Sequence, residues 1–133
     1  MKKTPYQRAK NRLDIIYSEY IRKRDCLKTS DNFDGGLCYT CGKYKPYSEL
    51  EAGHFIKRER MATRWDDRNV HAQCTHCNLY LRGNIHWYYK KLEEEYGSFC
   101  VEKLMKLEKT IKKYSLVDIE EKIKITRLKI NKL

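Results

Sequence analysis

Cys38-Tyr39-Thr40-Cys41-Gly42 and Cys74-Thr75-His76-Cys77 are two C-x2-C pairs separated by 32 residues, and their reading decides the fold. Two intervening residues let both sulfurs of a pair meet one tetrahedral ion from a tight turn, and Gly42 leaves room for backbone amides to face the thiolates. Four thiolates with no open position point to a structural zinc ion. The separation exceeds the loops of the simplest zinc fingers, so the residues between the pairs are expected to form a small motif clamped at both ends by the metal. Cys26 and Cys100 lack partner spacing and read as ordinary buried or half-buried thiols.

Outward from the cysteines, the segments inside the clamp are short. A strand is expected over 51–56, a second over 69–73, and a helix from about Thr75 that Gly83 stops. Upstream, Thr4-Pro5-Tyr6-Gln7 is a capping-box start, and Leu13, Ile16, Tyr17, Tyr20 and Ile21 form one apolar helical stripe. Downstream, Ile85, Tyr88, Tyr89, Leu92 and Tyr96 give an amphipathic helix ended by Gly97. Val101, Leu104, Met105 and Ile111 mark the next helix. Ser115 with Asp118 can cap the final one, whose stripe includes Ile119, Ile123 and Ile130. The expectation is an α+β chain, mostly α: a basic N-terminal helix over 1–28, a zinc-bound core over 29–84 and C-terminal helices over 85–133, all one structural unit. The Lys- and Glu-rich final third reads as a solvated face, with a coiled-coil-like dimer seam as the alternative.

The 133 residues hold 29 Lys and Arg against 18 acidic residues, a formal charge of +11. Such an imbalance repels itself unless a polyanion neutralises it, and nucleic acid is the leading partner. No apolar run approaches the ~18 residues needed to cross a bilayer, and no hydrophobic stretch follows the lysines of MKKTPYQRAK, so a cytoplasmic protein with no membrane partner is expected. In a reducing compartment paired cysteines are metal ligands before they are disulfides.

Inside the clamp lie Glu51-Ala52-Gly53-His54-Phe55, then Arg64-Trp65-Asp66-Asp67-Arg68-Asn69-Val70-His71, and Asn78 directly after Cys77. A hairpin packed on a helix can unite His54, Asn69 and Asn78. These side chains offer a base for water, an amide to orient that base and an oxygen ligand for a divalent cation, the three functions that phosphodiester hydrolysis needs.

The combination of C-x2-C, A-G-H-F, N-V-H-A-Q-C-x2-C-N and G-N resembles the phage NinG/Rap recombination proteins, a branch of the HNH nucleases. The likeness spans about residues 16 to 97 and includes Tyr20-Ile21-Arg22-Lys23-Arg24-Asp25 and Arg64-Trp65. It implies a zinc-stapled ββα-metal (HNH, or His-Me finger) core with flanking helices, in a phage or prophage protein that cleaves branched DNA such as Holliday junctions and D-loops. Carried over by position, His54 is the general base, Asn69 holds the loop that orients its imidazole, and Asn78 binds a catalytic Mg2+ or Mn2+. Many HNH enzymes have Asp or His as a metal ligand where this chain has Gly53. His71, inside the motif, is preferred as the second ligand over Glu51, a hard oxygen donor.

Lys57, Arg58, Arg60, Arg64 and Arg68 flank the proposed catalytic loop and are expected to grip phosphates without reading sequence. Trp65, Trp87, Tyr88 and Tyr89 are expected to pack in the core rather than stack on bases, and His76 and His86 to lie on the surface. Two symmetric cuts need two sites, so a homodimer is expected. The competing function is a non-catalytic zinc module that binds nucleic acid.

Overall fold

The structure is a computed structural model that describes residues 2–133. It opens with α1 (Pro5–Ser30), whose start is the expected capping box: Gln7 N donates to Thr4 Oγ1 at 3.1 Å, and Thr4 N donates to Gln7 Oε1 at 2.9 Å. The helix stops where Asp31 turns left-handed at φ 61°. Its stripe of Ala9, Leu13, Tyr17 and Ile21 is buried, each large side chain contributing about 1.5 to 3 kcal/mol of apolar transfer.

Two antiparallel hairpins follow. The first, β1 (Gly35–Leu37) with β2 (Tyr44–Pro46), surrounds the first cysteine pair and was not expected from the sequence, because its strands are only three residues long. The second pairs β3 (Leu50–His54) with β4 (Val70–Cys74), with Gly53 opposite His71 and His54 opposite Val70. The first strand ends two residues before the expected position. Phe55 N donates to Asn69 O at 2.9 Å and Ile56 N to Asn69 Oδ1 at 2.7 Å, so a side chain replaces the ladder there.

A short π-helical segment, His76–Tyr80, carries the chain away from β4. Then come α2 (Ile85–Tyr96), α3 (Ser98–Lys106) and α4 (Leu116–Asn131). Gly97 separates the first two as read, and Ser115 with Asp118 makes the second capping box. Ile111 departs from its expected place. It lies beyond the end of α3 and is 88% exposed, while Met105 points outward and only Val101 and Leu104 of that stripe are buried.

The β3–β4 hairpin sits between two apolar clusters. On one side α1 and α4 bury Leu13, Tyr17 and Ile21 with Val70, Ile119 and Ile123; on the other α2 and α3 bury Tyr88, Leu92, Val101 and Leu104 with Phe55 and Ile56. The stripe of α4 is thus occupied within the chain, against α1. The outer edge of β4 is covered too: Ala72 N donates to Asp25 Oδ2 at 2.7 Å, Tyr39 N donates to Ala72 O at 2.8 Å, and Arg24 donates to the carbonyls of Asp67 and Val70. Among the described residues no helix is long and apolar enough to cross a membrane.

Candidate functional site

The four cysteines converge. Cys38 and Cys41 come from the turn between β1 and β2, Cys74 ends β4, and Cys77 lies in the π-helical segment. Their sulfurs all lie within 4.8 Å of one another, close to the ~3.8 Å edge of a tetrahedron with 2.3 Å Zn–S bonds. Gly42 takes φ +73°, and its amide donates to Cys38 O at 2.9 Å, closing the turn. Burial raises the Cys38 thiol pKa, but backbone amides of Cys41 and Cys74 outweigh it and bring it down to about 6. The arrangement can hold one structural metal ion such as zinc.

A second constellation lies at the other end of the β3–β4 hairpin. His54 Nε2 is 2.9 Å from the Arg64 carbonyl oxygen. A carbonyl only accepts, so Nε2 carries the hydrogen and Nδ1 keeps a free lone pair. Burial holds the imidazole below its ordinary pKa, and the Arg64 and Arg58 charges push the same way against the Arg64 carbonyl and Asp14. The ring is therefore neutral at pH 7.

Asn69 is fully buried and braces the loop that leaves His54. Its Oδ1 accepts from Ile56 N, and its Nδ2 donates to Ile56 O at 3.0 Å and Thr63 O at 3.1 Å. The far side of the loop is fixed through Arg64, whose guanidinium forks onto the Asp14 carboxylate of α1 and donates to Arg58 O at 2.9 Å. Trp65 Nε1 donates to the same carboxylate at 3.0 Å. Asn78 Nδ2 donates to Glu51 Oε1 at 2.8 Å, and Thr75 Oγ1 donates to Glu51 Oε2 at 3.0 Å. His54 and Asn78 share an open hollow of about 490 Å³, rimmed by the cations Lys57, Arg58 and Arg82 and by one carboxylate, Glu59.

Residues 2–133 match the family model described as Bacteriophage Lambda NinG protein. The chain belongs to the NinG family. No curated protein and no solved structure matches it.

In this NinG-family chain three expectations need correction, those for His71, Arg64 and Trp87. His71 is not brought to Asn78: it is 2% exposed, stacks on Tyr39 at 3.8 Å between ring centroids, and has Tyr88 and Tyr96 hydroxyls 3.1 Å from Nδ1 and Nε2. Both nitrogens are occupied, and Glu51, the other residue read from the sequence, is the one that meets Asn78. Arg64 is likewise no phosphate clamp, being 7% exposed and bound to Asp14. Arg68 forks onto Asp66 within its own turn and is partly open, while Lys57, Arg58 and Arg60 are exposed. Tyr88 and Tyr89 pack against Phe55 and Trp65 against Tyr114, whereas Trp87 is 54% exposed. Cys26 is buried and Cys100 half-buried, and His76 and His86 are exposed, as read. Arg82 and Asp14 escaped the sequence reading, since neither lies in a recognisable spacing and both reach the site by tertiary contact.

Proposed function

We propose that this chain is a metal-dependent endonuclease that hydrolyses phosphodiester bonds in branched DNA, with a zinc-stapled HNH-type core made of β3, β4 and the π-helical segment. The observation that carries the reading is His54: a neutral imidazole whose Nε2–H is tied to a carbonyl and whose Nδ1 is free, in one basic hollow with Asn78. His54 Nδ1 takes the proton of a water whose oxygen bonds to phosphorus, and the P–O bond to the leaving sugar oxygen breaks as that oxygen is protonated from solvent. Asn69 and Arg64 hold the loop and the carbonyl that fix the ring. Asn78 and Glu51 would hold one Mg2+ or Mn2+, which neutralises charge on the transferring phosphoryl group when bound. Lys57, Arg58 and Arg82 hold flanking phosphates and read no bases. The preference for Holliday junctions and D-loops follows from the resemblance to the NinG/Rap proteins, and paired cuts call for a homodimer.

The test is cleavage of a labelled four-way junction beside a linear duplex with Mg2+ or Mn2+, for wild type and His54→Ala. Junction-selective cutting by wild type that disappears in the variant, with binding retained, is the expected result. Binding without any cutting by wild type would leave a zinc module that only binds nucleic acid.

A further inference from the structure

One polar atom in the hairpin has no partner. Gln73 is fully buried; its Nε2 donates to Gly83 O at 2.9 Å and to Thr40 Oγ1 at 3.0 Å, and its Oε1 is without any hydrogen bond among the described residues. Because the Gly83 carbonyl can only accept, the amide cannot be turned over to satisfy the oxygen. A buried carbonyl left unmatched loses the hydrogen bonds that water would have given it, a defect that folded proteins keep at few positions.

The place where this oxygen sits is informative. Glu51 pairs directly with Gln73 and Gly53 with His71, so Glu51, Gly53 and Gln73 share one face of the pleat. A Cβ on Gly53 would collide with Gln73 Oε1 and come within 2.6 Å of Cδ and 2.9 Å of Cγ. The Gln73 amide therefore fills the volume that a side chain immediately before His54 would occupy. The directly paired Glu51 carries the carboxylate that meets Asn78, and Gly83, which fixes the amide, lines the hollow shared by His54 and Asn78.

We propose that Gln73 Oε1 is an oxygen donor to the divalent cation of this site, with Glu51 and Asn78, in place of the side chain that Gly53 lacks. The inference rests on the hydrolytic reading above. Side-chain amide oxygens are ordinary ligands of Mg2+, Mn2+ and Ca2+. A set with one carboxylate and two amides carries a single negative charge.

The test is Mn2+ binding to the zinc-loaded full-length chain, read as the loss of the free Mn2+ electron paramagnetic resonance signal, with no DNA and no turnover. Four proteins are compared: wild type, Asn78→Ala, Gln73→Leu and the swap Gly53→Asp/Gln73→Ala, which empties the volume and returns an oxygen donor from β3. Wild type binds one Mn2+, Gln73→Leu weakens it by about tenfold or more, and the swap restores it to within about threefold. Affinity in Gln73→Leu within about twofold of wild type, while Asn78→Ala abolishes binding, overturns the role of Gln73 and leaves the hydrolytic reading intact. If Gln73→Leu does not fold, the swap decides: binding supports the proposal and its loss overturns it. No Mn2+ binding by zinc-loaded wild type removes the hydrolytic reading, and this inference with it.

Discussion

The two faces of the β3–β4 hairpin treat histidine in opposite ways. His54 and His71 lie one register step apart, and burial lowers the pKa of both, His71 to about 3. His54 spends one nitrogen on a backbone carbonyl and keeps the other free at a hollow edged with cations. His71 has a tyrosine hydroxyl at each nitrogen and a third tyrosine stacked on its ring. Residue type and burial do not separate the proposed base from the structural ring; the count of occupied nitrogens does.

The comparison breaks altogether if its clamp is removed. Both faces depend on the cysteine cluster, and structural zinc in small domains supplies on the order of 10 kcal/mol of folding free energy. Stripping the metal with a chelator, or Cys77→Ser, is expected to unfold the central segment, seen as loss of the cooperative thermal transition by circular dichroism.

A smaller effect separates the two rings directly. His54→Ala should lower the cutting rate by about 10² to 10⁴, equivalent to about 3 to 5 kcal/mol, with a nearly unchanged unfolding midpoint in urea. His71→Ala should do the reverse, costing about 2 to 3 kcal/mol of stability through a cavity and the loss of the Tyr96 hydroxyl's partner, while Tyr88 keeps its bond to Gly53 O and the folded fraction still cuts. Equal losses of cutting rate in the two stability-corrected variants would erase the distinction.

Acid sharpens the comparison further. A folded-state pKa below the unfolded one means that under pH 6.5 the unfolded chain takes up a proton that buried His71 refuses. Stability from this group is full above pH 6.5 and is lost as pH falls toward about 3. Unfolding free energies from urea titrations between pH 7 and 4 should drop more steeply for wild type than for His71→Phe, by about 3 kcal/mol at pH 4. Parallel curves would mean that His71 is not held neutral.

The mildest test concerns the arginines. Arg58→Ala should leave stability within about 0.5 kcal/mol and reduce the salt dependence of DNA binding by about one phosphate contact. Arg64→Ala leaves Asp14 partnered only by Trp65, so its cost appears in stability at every salt concentration. An unchanged salt slope in Arg58→Ala would remove that side chain from the DNA-binding rim.

What was legible in the sequence was local. Both capping boxes, the turn at Gly97 and the convergence of the cysteine pairs follow from spacings of three or four residues. His54, Asn69 and Asn78 stand out by their order inside the clamp, and their individual roles come from the resemblance; Asn69 is seen to hydrogen-bond to Ile56 and Thr63 in the loop after His54. What stayed hidden depends on contacts across long stretches of chain. Arg64 reads as a free cation until Asp14, 50 residues earlier, is seen beneath it. His71 reads as a ligand until two tyrosines of α2 close over it. Asp25 gives no local sign that it covers the edge of β4, and Gln73 is plain until the empty place at Gly53 is known.

The packing of α4 onto α1 sets an order on biosynthesis. Leu13, Tyr17 and Ile21 leave the ribosome early, yet Ile119 and Ile123, which complete their cluster, are made about a hundred residues later. At ~5 to 20 residues per second, this apolar stripe waits roughly 5 to 20 seconds for its cover. A nascent chain halted before Leu116 would be a client for chaperones, whether or not its cysteines had already closed on a metal.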